Sequence, residues 1–247
     1  KEGIVKYHEQ RMFHSVHDFY SHLGVKDTHL FNDLVCNLFL KRLPGITNVY
    51  KRFSDEKILD LMTHNQRGEL RPETSTGYLF GVKRKVLARV YGDEVLEWLK
   101  EFDCSIVVYA IACLKDEFRD KKKAARSIMV FQIYIWLIYQ RHFGCILEYL
   151  SRVNPGVLAF GHSVNHAYFT EKLRGFDWSA ETHSIDLKKQ DSRFGAWWVC
   201  WFMDFLFSHT NYKNEARNEM MWCMNESFFE KKLIDMYGNV LTFENGE

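Results

Sequence analysis

Cys104–Tyr139 reads CSIVVYAIACLKDEFRDKKKAARSIMVFQIYIWLIY, two apolar segments with a charged arm between them. The arm gathers Lys115, Arg119, Lys121, Lys122, Lys123 and Arg126, interrupted by Asp116, Glu117 and Asp120. Cationic side chains at that density exceed what solubility requires and suit polyphosphate or a nucleic-acid backbone. Cys104–Leu114 is β-branched and apolar, which predicts a strand feeding directly into the arm. Ile128–Tyr139 is too short for a bilayer span, and Gln132 and Gln140 interrupt or end it. A buried helix or a strand–helix unit is therefore expected after the arm.

Working outward, the 247 residues are 47% hydrophobic and 16% aromatic, enough for a sizeable core in one large domain or two intimate subdomains. Lys plus Arg total 33 against 32 Asp plus Glu, a formal charge of +1, so attraction for nucleic acid must come from local clustering. Cys36, Cys104, Cys113, Cys145, Cys200 and Cys223 form no CxxC pair. That scatter favours reduced thiols in a cytosolic setting over a disulfide scaffold or a zinc site. The first residues carry charges and histidines in place of an apolar signal-peptide core.

Helical spacing marks His29–Arg42 and, more briefly, Lys57–Met62. Arg71–Gly77 is rich in turn formers and predicts a loop, followed by one helix from about Lys83 to Phe102. Ile133–Val153 reads as a long helix stopped by Asn154-Pro155-Gly156. Thr182–Leu187 reads as a short strand that ends near Asp186. Trp197–Ser208 predicts an aromatic helix whose tryptophans, like Trp222, are expected in the core. Asn214–Met236 predicts a further helix, and Tyr237–Val240 a turn into a final strand, Val240–Phe243. The fold class is thus α+β, mostly helical.

Three segments, in order, resemble the early motifs of the RNA-dependent RNA polymerases of positive-strand RNA viruses, most closely the picornavirus-like branch. Thr74-Ser75-Thr76-Gly77-Tyr78-Leu79-Phe80 is similar to the Thr-Ser-x-Gly-Tyr-Pro-Tyr loop called motif G, with Leu79 where the family has proline. Lys115-Asp116-Glu117-Phe118-Arg119, continuing to Arg126, resembles the Lys-Asp-Glu-Leu-Arg arm of motif F. Asp186-Leu187-Lys188-Lys189-Gln190-Asp191 keeps the D-x-x-x-x-D spacing of motif A, with two lysines where the family has a small hydroxyl residue and an aromatic. Phe143-Gly144 and Asn154-Pro155-Gly156 fall where similar residues fall in the family.

The resemblance covers roughly residues 70 to 195. It implies the fingers (residues 1–180) and the start of the palm (residues 181–247) of a right-hand polymerase, ending before motifs B and C. It implies template-directed nucleotidyl transfer from NTPs to an RNA 3′ end by a two-metal mechanism with Mg2+ or Mn2+. Asp186 would be the catalytic metal ligand, and Asp191 would sense the ribose 2′-hydroxyl of the NTP. Lys115 and Arg126 would hold the triphosphate. Arg119, Lys121, Lys122 and Lys123 would line the entry channel or touch template phosphates. Thr74, Ser75 and Gly77 would let the template pass close to the backbone.

The partners so implied are an RNA template and product strand, NTPs, the remaining palm and thumb segment in the same or another chain, and other replication proteins. The setting would be the host cytoplasm, in a viral replication complex. Whether the chain is a truncation, an ordered fragment or half of a split polymerase is left open, and by itself it is expected to be inactive. Two other classes fit the residues more loosely. A non-enzymatic viral RNA-binding protein such as a nucleoprotein needs the basic arm but not Asp186, and a helical interaction protein needs neither.

Overall fold

The computed structural model describes residues 28–64, 75–78, 80–114, 127–153, 179, 196–235 and 237–244. In chain order these form α1 (Thr28–Arg42), α2 (Asp55–Thr63), α3 (Arg84–Val90), α4 (Gly92–Lys100), β1 (Ala110–Leu114), β2 (Ser127–Phe131), α5 (Ile133–Arg152), α6 (Ala196–His209), α7 (Asn214–Met224), β3 (Glu230–Ile234) and β4 (Val240–Glu244). The protein is α+β and mostly helical, with one small mixed sheet.

Local chemistry explains the helix ends. Ser54 caps α2 by accepting from the Lys57 amide at 3.2 Å, while Asp55 and Glu56 place negative charge at the positive end of the helix dipole. The helix expected over Lys83–Phe102 is two helices. The chain leaves helical geometry at Tyr91 (φ −128°, ψ 37°), and α4 restarts at Gly92 with Asp93 and Glu94 in its first turn. The apolar run after the arm is a strand–helix unit, with β2 closing at Phe131 and α5 opening at Ile133.

The sheet order is β2-β1-β3-β4. β1 and β2 form an antiparallel pair in register from Ala110–Phe131 to Leu114–Ser127. β1 also pairs parallel with β3, and β3 pairs antiparallel with β4. Two sequence expectations fail here. The strand begins at Ala110 rather than Cys104, because side chains take the backbone groups of the preceding segment. Trp222 Nε1 donates to the Ile106 carbonyl at 2.8 Å, Glu226 Oε2 accepts from the Val108 amide at 3.2 Å, and Gln132 Oε1 accepts from the Tyr109 amide at 3.2 Å. The helix expected over Asn214–Met236 stops at Met224, passes through a π-helical turn at Asn225–Phe229 and becomes β3.

The core lies between α5, α6 and α7, with α2 and α4 packed against it. Ile58, Leu87, Val95, Leu206, Met220 and Cys223 are fully buried. Trp201 stacks on Phe205 at 5.7 Å and Phe39 meets both rings edge-on, so Trp201, like the buried Trp222, is core as expected. Gly144 on α5 accommodates Phe53, since a Cβ there would stand 2.5 Å from the Phe53 ring. Asn211, between α6 and α7, ties this layer to the amino-terminal half by accepting from the Tyr50 amide at 2.8 Å and donating to its carbonyl at 3.1 Å.

Candidate nucleic-acid interface

The Ser75–Lys83 loop is closed by its own backbone. Ser75 and Lys83 form an isolated antiparallel bridge, and the Thr76 amide and hydroxyl both donate to the Val82 carbonyl, at 2.9 and 3.0 Å. Ser75 Oγ accepts from the Gly77 amide at 3.1 Å, and the Gly77 carbonyl accepts from Gly81 at 3.1 Å. Ser75 is exposed, whereas Thr76 and Gly77 are buried. Gly77 has φ +79°, and a Cβ on it would overlap the Phe131 carbonyl at the end of β2. Only glycine meets both demands without strain. Tyr78 projects from the loop, 40% exposed, with its ring edge-on to Tyr109 at 6.5 Å.

The strand that Gly77 touches is one side of the hairpin flanking the basic arm. β1 ends at Leu114, β2 begins at Ser127, and these two residues are paired. Gln132, buried just after β2, donates its amide to the Tyr109 carbonyl and accepts from the Tyr109 amide, which fixes the other end of the hairpin. Loop and hairpin therefore form one connected piece. Of the residues singled out in the sequence, Ser75 and Gly77 are within it. Thr74, Lys115, Arg119, Lys121, Lys122, Lys123, Arg126, Asp186 and Asp191 lie outside the described residues, as does the strand expected over Thr182–Leu187.

Elsewhere, α5 is tied to α2 and α7 by an ionic network that sequence reasoning missed. Arg141, at 1% side-chain exposure on α5, donates from Nη1 to Glu219 Oε2 at 2.9 Å and from Nη2 to Asp55 Oδ1 at 3.0 Å, and it also reaches the Leu99 carbonyl. His142 Nε2 is 2.8 Å from the same Glu219 oxygen, and its Nδ1 is 3.2 Å from the Tyr50 hydroxyl. Burial holds the His142 pKa below its usual value. A neutral ring with its proton on Nε2 then donates to Glu219 and accepts from Tyr50. Burial pushes the Glu219 carboxyl upward, but the hydrogen bonds from His142 and Arg141 and the Arg141 charge outweigh it and bring the pKa to about 2. The signal in the sequence was the triplet Gln140-Arg141-His142 inside an otherwise apolar helix, since buried charge demands paired partners.

Among the described residues no group of three or more His, Cys, Asp or Glu side chains is placed to hold a metal ion, and no helix is long and apolar enough to cross a membrane. What the described geometry offers is a surface loop, an exposed aromatic ring and an antiparallel pair of strands between whose ends the basic segment runs in the sequence. No protein-family model and no curated protein matches this chain.

Proposed function

We propose that this chain is the fingers and first part of the palm of a viral RNA-dependent RNA polymerase of the picornavirus-like type. The observation that carries the reading is the order and spacing of three segments: the Thr74–Phe80 loop, the Lys115–Arg126 arm and the Asp186–Asp191 pair. The packing of Gly77 on Phe131 supports it, because it couples the first segment to the hairpin that bears the second. In this role Lys115 and Arg126 neutralise the NTP triphosphate, and Arg119 with Lys121–Lys123 attracts template and product phosphates. Asp191 selects the ribose 2′-hydroxyl. Asp186 is the residue that would hold Mg2+ or Mn2+, which when bound supplies charge stabilisation for phosphoryl transfer. The further aspartates come from the remaining palm and thumb, in the same or another chain, within a cytoplasmic replication complex.

The test is Asp186→Ala in the enzyme assembled with that remaining segment. Nucleotide incorporation on a primed template is expected to vanish while RNA affinity stays close to wild type. Near-normal elongation by the variant would sink the assignment.

A further inference from the structure

Arg84 follows directly on Lys83, the residue whose backbone closes the Ser75 loop. Its guanidinium carbon lies 4.6 Å from the centre of the Trp136 ring on α5. Arg84 Nε and Trp136 Nε1 are both buried N–H donors with no acceptor among the described residues. Arg84 as a whole is half-buried, and among the described residues no carboxylate pairs with it. Burial alone draws the Arg84 pKa down to about 10. A guanidinium over an indole, half desolvated and, among the described residues, without a counter-charge, is unusual, because buried cations are ordinarily paired.

We propose that the outward edge of Arg84 is a receptor for a phosphodiester group of a single RNA strand running past the Ser75–Tyr78 loop. The strand's identity as RNA rests on the polymerase reading. The planar fork formed by Nη1 and Nη2 matches two phosphate oxygens, which lysine cannot do. Contact with the Trp136 ring restrains the Arg84 side chain in advance, so less of its freedom is lost on binding. Partial burial strengthens the attraction, since the charge sits in a medium less polarisable than water. Lys83 and Arg89, both exposed on the same segment, add attraction of longer range.

The test is fluorescence anisotropy of the 247-residue chain with a labelled single-stranded oligouridylate at several salt concentrations. Arg84→Ala is expected to weaken binding about tenfold at low salt and to lower the slope of log affinity against log salt by about 0.7. Arg84→Lys keeps the charge, so the slope holds while affinity falls by a smaller factor. An Arg84→Ala chain with wild-type melting temperature and unchanged affinity and slope overturns the proposal. If Arg84→Ala does not fold, Arg84→Lys decides: lowered affinity at constant slope supports the receptor, and wild-type affinity overturns it. Excess ATP that abolishes only the Arg84-dependent part assigns the site to a free triphosphate and overturns the strand, as does failure of the wild-type chain to bind the oligouridylate. Nucleotide incorporation is not read here, so failure of this site leaves the Asp186 test standing, and failure of that test leaves the binding result in place.

Discussion

Arg141 Nη1 stands 2.9 Å from Oε2 of Glu219, the oxygen that His142 also reaches, so one carboxylate joins α5 to α7 through two adjacent residues. Removing Glu219 strands a guanidinium that is 1% exposed, with Asp55 as the one charged partner left among the described residues. Glu219→Ala is expected to cost about 3–5 kcal/mol and Glu219→Gln about 1–3 kcal/mol, read by urea denaturation. Equal, small losses in both variants would show that the pair adds little.

The same carboxylate sets an acid limit. Its folded pKa, about 2, is below the ordinary 4.5, so its contribution is complete above pH 4.5 and is lost as pH falls toward 2. His142 is held neutral by burial, so protonating it also opposes folding, at pH values below its ordinary 6.5. Stability of the wild type should therefore fall in two stages on acidification. Glu219→Gln should flatten the lower stage, measured as unfolding midpoint against pH.

Gly77 and Gly81 both have positive φ, but only Gly77 lies against backbone, at Phe131. Gly81→Ala should cost about 1–2 kcal/mol, the penalty of left-handed backbone alone. Gly77→Ala should cost at least about 3 kcal/mol, since the strain and the collision with the carbonyl add. Similar melting temperatures for the two variants would argue against a tight seat on the hairpin.

Buried thiols should resist modification. Cys223 is pushed up to about 12 by burial, and Cys36, Cys145 and Cys200 are also buried, whereas Cys104 and Cys113 are partly open. Iodoacetamide on the native protein followed by mass spectrometry should label Cys104 and Cys113 first, with the other four reacting only after denaturation. Early labelling of Cys223 would contradict the packing of α7.

On the polymerase reading, Arg126→Ala in the assembled enzyme should raise the KM for NTPs about tenfold or more while leaving the melting temperature nearly unchanged. A variant that fails to fold would make Arg126 a structural residue instead.

Much of the architecture was legible because helices announce themselves locally. Apolar residues at helical spacing located α1, α2, α5 and α6 to within a few residues, and Tyr237–Asn239 marked the turn before β4, where Asp235 accepts from the Tyr237 and Asn239 amides. β3 was hidden because Glu230, Lys231 and Lys232 continue the charged pattern of α7, and its partner β1 is about 120 residues away. Lys231 lies over the Phe243 ring at 5.7 Å, a cross-strand contact that helical or alternating periodicity does not reveal. Turn chemistry marked the loop that carries Ser75 and Gly77, whereas their place in a template path is implied by the resemblance alone. Arg84 and Arg141 were not singled out, because an arginine's burial and partners depend on tertiary packing that sequence spacing does not encode.

The central place of β1 in the sheet has a consequence for synthesis. As the chain emerges from the ribosome, a β1–β2 pair that forms before β3 is made would keep the β1 edge at Ala110–Ile111 open until Glu230–Ile234 arrives roughly a hundred residues later. Throughout that interval such a pair would offer unpaired amides and carbonyls to neighbouring nascent chains, a recognised route to aggregation. Yield of the native protein should therefore depend on how quickly translation delivers β3, more than on the strength of any contact within the finished sheet.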